Sequence, residues 1–79
     1  ATIRRYAATV LQYMRVAEAI AGQVETGELQ PGDKLPPETA IATEYGVSVS
    51  TARRAMKELR DRGLIDTRWG YGTYIKEPE

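Results

Sequence analysis

The chain has 79 residues, with eleven basic and eleven acidic side chains and neither histidine nor cysteine. That describes one small domain with a thin core and little room for an enzyme cleft. The missing cysteines exclude disulfides and thiolate metal sites, and the missing histidines remove the commonest general base and metal ligand, so no enzyme activity, cofactor or metal is expected.

Apolar residues recur at Ile3, Tyr6, Val10, Tyr13, Ala17, Ile20 and Val24. Steps of three and four make a helical stripe. It predicts either one helix from about Thr2 to Thr26 or a short helix docked onto a main one that begins near Leu11. Residues 1–12 are therefore set apart as a helical extension, 13–76 as the domain and 77–79 as tail or linker. The first residue is Ala and not Met, so the chain is expected to be processed or cut from something longer. The stripe reads first as core and second as a dimer interface.

Gly27 is expected to end this helix. Pro31-Gly32 then signals a turn, with Asp33 and Lys34 on the surface and Leu35 tucked into the core as a short extended piece. Pro36-Pro37 forbids helix upstream and is tolerated at a helix start. A helix from about Pro37 to Tyr45 follows, with Glu38 matching its dipole and Ile41, Ala42 and Tyr45 facing inward. Gly46 stops it with positive φ, Val47 plugs the turn, and Ser48 caps a helix from about Val49 to Arg62. On that helix Ala52, Ala55, Met56 and Leu59 share one face, opposite Ser50, Arg53, Arg54 and Lys57. Leu64–Thr67 and Thr73–Ile75 read as two antiparallel strands around a Gly70-Tyr71-Gly72 tip. The fold class is mainly α with a small β-hairpin (α+β): a three-helix winged helix-turn-helix with an N-terminal helical extension.

The zero net charge hides a segregation. Residues 48–76 hold seven basic and three acidic side chains, a net of +4, and the rest of the chain carries −4. Phosphate affinity follows the local footprint, so this distribution suits DNA. A helix enters the major groove if its exposed N-terminal face is slim, and Ser48, Val49, Ser50 and Thr51 are small. Val49, Ser50 and Arg53 are the expected base readers, Arg53 through a fork on guanine O6/N7 and Val49 through a thymine methyl. Ser48, Thr51, Arg54 and Lys57 are expected on phosphates, where the amides of the helix N-terminus also help. Gly70, Tyr71 and Gly72 let the hairpin lie close to the backbone, and Arg68 with Trp69 suits the minor groove. Each residue also has a plainer role: a solvated basic face for Arg53, Arg54 and Lys57, an N-cap for Ser48, a hairpin-stiffening cluster for Trp69 and Tyr71, turn geometry for the glycines.

Several motifs carry a family resemblance when taken together. Pro31-Gly32-Asp33-Lys34, Leu35-Pro36-Pro37-Glu38, Gly46-Val47-Ser48 through Arg53, Gly63-Leu64-Ile65 and Gly70-x-Gly72-Thr73-Tyr74-Ile75 resemble the GntR family of bacterial transcription regulators, over about Tyr13 to Ile75. The resemblance implies a winged helix-turn-helix that binds palindromic double-stranded operator DNA as a homodimer in the cytoplasm. In such proteins the effector is bound by a separate C-terminal domain and not by the reading head. The pattern departs at Thr39 and Val49, where the family commonly has arginines that contact DNA; Thr39 is accordingly expected on the DNA backbone. Pro37 replaces a serine cap, and Trp69 a polar wing residue. The competing reading is a winged-helix protein-interaction module without DNA contact.

Overall fold

A 25-residue helix, α1 (Thr2–Thr26), forms the long edge of the molecule. The computed structural model describes residues 2–68 and 70–77, with side chains from Gln12 onward. Of the two alternatives for the N-terminus, the single continuous helix is the one observed. Along α1, Val16, Ala17, Ile20 and Ala21 are buried, and Tyr13 and Val24 pack at the margin of the same cluster. The stripe is therefore core over its described part; Ile3, Tyr6 and Val10 lie outside the described side chains.

The helix α2 (Glu38–Tyr45) starts one residue later than expected, because Pro37 sits outside it in extended conformation with no side-chain cap. Its carbonyl nevertheless accepts from the Ala40 and Ile41 amides at 2.9 and 3.0 Å. Gly46 ends the helix at φ 67°. There its amide reaches the Thr43 carbonyl and the Val47 amide reaches the Ala42 carbonyl. This paired closure needs a left-handed residue, which glycine adopts without steric cost. It turns the chain straight into α3 (Val49–Asp61), with Arg62 as C-cap and not its last turn. Leu64 closes α3 in the same way, its amide on the Leu59 carbonyl at 3.0 Å.

Leu35, Ile41, Ala42, Ala52, Ala55, Met56, Leu59, Ile65 and Ile75 complete the core. The alanines at 17, 42, 52 and 55 are small enough for α3 to lie close to both α1 and α2, which is how a thin domain buries enough area. The hairpin pairs β1 (Ile65–Arg68) with β2 (Gly72–Ile75), Ile65 opposite Ile75 and Arg68 opposite Gly72. Leu64 falls just outside β1, although its carbonyl still accepts from the Lys76 amide at 2.9 Å.

The connector does more than the extended piece expected of Leu35. Lys34 bridges Tyr74 in antiparallel fashion. The Leu35 amide donates to the Thr73 carbonyl, the Ile75 amide to the Asp33 carbonyl and the Gly32 amide to the Ile75 carbonyl, at 2.8 to 2.9 Å. The Asp33 carboxylate accepts from the Gln30 amide at 2.8 Å and shapes the turn. The wing is thereby tied along its inner strand to the body of the domain.

Candidate nucleic-acid interface

Ser48 sets the geometry of α3. Its hydroxyl oxygen accepts from the Thr51 amide at 3.1 Å, and its own proton goes to the Thr51 hydroxyl at 2.9 Å. Thr51 is only 7% exposed. The Thr51 hydroxyl accepts from Ser48 within the protein and the residue braces the cap, which makes it less available to a phosphate than the exposed residues beside it. Its position four residues before Ala55 and eight before Leu59 places it on the buried stripe, a signal present in the sequence.

Past the cap, Val49, Ser50, Arg53, Arg54 and Lys57 are exposed, as expected of that face. Each long cation has an intramolecular partner. The Arg53 Nε donates to Glu38 Oε2 at 3.0 Å. Lys57 meets Asp61 at 3.3 Å, one turn along. The Arg54 guanidinium lies 4.5 Å from the centroid of the Tyr13 ring on α1. These pairs are solvent-exposed and weak, so a phosphate can replace them at small cost.

Thr39, exposed in the first turn of α2, joins Glu38, Val49, Arg53, Lys34 and Gly72 around one notch of about 470 Å³. Three distant stretches meet there: the start of α2, the start of α3 and the base of the wing. Lys34 was not anticipated as a site residue. Its side chain lies flat across Gly72, where a Cβ would sit 2.7 Å from Lys34 Cε. Gly72 has φ 123°, so its lack of a side chain serves both the turn and this close approach.

At the tip, Gly70 and Tyr71 are exposed, Tyr71 at 71%. Trp69 lies outside the described residues. Arg68 stacks 5.5 Å from the centroid of the Tyr74 ring. The Tyr74 hydroxyl in turn donates to the Tyr71 carbonyl at 3.3 Å. Arg60, counted in the sequence only as charge, donates from Nη2 to the Thr67 hydroxyl at 2.8 Å and ties the end of α3 to β1. Arg62 donates to Glu18 and Glu58 at 2.6 and 2.7 Å. The hydrogen bond to Glu18, then that to Glu58, raises its pKa further above the ordinary guanidinium value. Among the described residues no group of histidine, cysteine, aspartate or glutamate side chains could hold a metal ion, and no helix is long and apolar enough to cross a membrane.

Comparison with known proteins gives this geometry a family. The model of the bacterial regulatory proteins of the gntR family matches residues 12–75. The chain is 45% identical over 65 residues to the mannosyl-D-glycerate transport/metabolism system repressor MngR of Escherichia coli K12, covering 82% of this chain and 27% of that protein. It is 41% identical over 64 residues to the HTH-type transcriptional regulator SmoD of Agrobacterium fabrum C58, covering 81% and 27%. The chain thus spans about a quarter of the length of these relatives. Among solved structures, the DNA-binding domain of AraR in complex with operator ORX1 superposes with a TM-score of 0.77 at 33% identity, covering 81% of this chain and 77% of that one. A GntR-family regulator superposes at 0.80 with 38% identity, covering 86% of this chain and 27% of that one. The three helices and the hairpin, in this order and register, are a winged helix-turn-helix, and the chain belongs to the GntR family of bacterial regulatory proteins.

Proposed function

We propose that this domain binds double-stranded operator DNA sequence-specifically within a bacterial transcription regulator. In this reading α3 enters the major groove and the hairpin lies on the backbone or in the adjacent minor groove. The observation that carries it is the convergence, on one side of the fold, of the small-residue start of α3, the exposed first turn of α2 and the base of the wing. The superposition on the AraR domain, which is in complex with an operator, supports it.

The residues divide by reach. Val49, Ser50 and Arg53 read base edges. Thr39, Ser48, Arg54, Lys57, Gly70, Tyr71 and Gly72 meet sugar and phosphate, with Lys34 added by the structure. Arg68 and Trp69 serve the wing's groove contact. Two copies on a palindromic operator would place two α3 helices about 34–36 Å apart, one DNA turn. Ser50, Arg53, Arg54 and Lys57 make this face polar and cationic, which suits phosphate better than an apolar protein partner.

Selection of bound sequences from random duplex DNA, at two salt concentrations, tests the reading. A recurrent site whose affinity falls steeply with salt is the expected result. Enrichment of no sequence, at either concentration, would refute it.

A further inference from the structure

Arg53 reaches Glu38 through one nitrogen. Nε donates to Glu38 Oε2 at 3.0 Å, and among the described residues neither terminal nitrogen of the guanidinium has a hydrogen-bond partner. A guanidinium is a rigid planar fork. Fixing it by Nε therefore leaves the two Nη groups as a free pair of prongs. The pair also crosses the corner of the fold, since Glu38 opens α2 and Arg53 lies in the second turn of α3.

Glu38 in the first turn of α2 suits that helix's dipole, but this role needs no partner on α3, and a carboxylate does not raise general DNA affinity. The Arg53 side chain is 68% exposed and the Glu38 side chain 37% exposed, and an ion pair this open contributes little to folding. A negative charge in the notch also repels phosphate. It does restrict a long, flexible side chain to one orientation, which lowers the ordering needed when a partner arrives.

We propose that Glu38 is a positioning residue for base readout. It holds Arg53 by Nε so that the Nη pair projects from the notch toward guanine O6 and N7. Its charge meanwhile penalises DNA that offers no guanine there. This rests on the reading that Arg53 contacts a base. Glu38 thus acts on specificity with opposite signs, strengthening cognate binding and weakening the rest.

The test uses the 79-residue chain, a cognate duplex obtained by selection, and variants of that duplex at each G·C pair. Dissociation constants are measured at one salt concentration for wild type, Glu38→Ala, Glu38→Gln, Arg53→Ala and the Glu38→Ala/Arg53→Ala double variant. Arg53→Ala is expected to abolish discrimination at one G·C pair, a loss of about ten- to a hundredfold. Glu38→Ala should cut discrimination at that same pair by about tenfold while binding non-cognate DNA several-fold more tightly. Glu38→Gln, which keeps an acceptor for Nε, should discriminate better than Glu38→Ala. In the Arg53→Ala background, Glu38→Ala should leave base preference unchanged. Unaltered discrimination in Glu38→Ala alongside a clear Arg53→Ala loss overturns the positioning role alone. A Glu38→Ala effect on base preference that persists without Arg53 also overturns it, since Glu38 would then read a base itself. Full discrimination in Arg53→Ala overturns the underlying reading and the proposal together.

Discussion

Two arginines toward opposite ends of α3 show how differently one side chain can be used. Arg62, at the end of α3, is held by two carboxylates from two helices and is 30% exposed. Arg53, nine residues earlier, has one carboxylate on one nitrogen and is 68% exposed. The first closes the seam between α1 and α3; the second keeps most of its donors for something outside. Charge counted along the sequence treats them as equal. What separates them is how many of the five N–H groups the fold has already used.

The sharpest way to break this contrast is to damage the seam itself. Leu59 is fully buried between the helices. Leu59→Ala should cost about 3 kcal/mol in urea denaturation, a large share of the stability of a domain this size. Operator affinity should then fall only in proportion to the unfolded fraction. Arg53→Ala should do the reverse: operator binding weaker by about 1–3 kcal/mol and denaturation shifted by no more than about 0.5 kcal/mol. A comparable stability loss in both variants would erase the distinction.

Ser48→Ala falls between the two. It removes the cap of α3 and leaves the buried Thr51 hydroxyl without its donor, so about 1 kcal/mol of stability should be lost in thermal or urea unfolding. Arg62→Ala should lower the unfolding midpoint slightly, less so at high salt, and leave base preference alone. Lys57→Ala should have the smallest effect per sequence. It should weaken all duplexes alike and reduce the slope of log affinity against log salt by about 0.9.

The division between what could and could not be read in advance follows sequence distance. The ends of the helices were legible at Gly46 and Ser48, because a cap depends on neighbours within a few residues. The exposed face of α3 followed from helical period. The burial of Thr51 was legible too, since its spacing with Ala55 and Leu59 puts it on the inner face, although its hydroxyl drew attention to DNA. The Glu38–Arg53 pair spans 15 residues and the Arg62–Glu18 pair 44. No local pattern joins either. Lys34 belongs with them: the sequence marked it as a surface residue of a turn, and only the return of the chain 38 positions later brings Gly72 beneath it.

The backbone pairing of residues 32–35 with β2 divides the hairpin into an anchored base and a free tip. The amides of Leu35 and Ile75 should exchange with solvent slowly and together, while that of Tyr71, whose partner is the Arg68 carbonyl within the hairpin itself, exchanges faster. Loop grafting can exploit that boundary. The hairpin can be altered at Gly70 and Tyr71 without loosening the pairing of residues 32–35 with β2, so the tip is a place where the domain's reach across DNA can change while its architecture stays fixed.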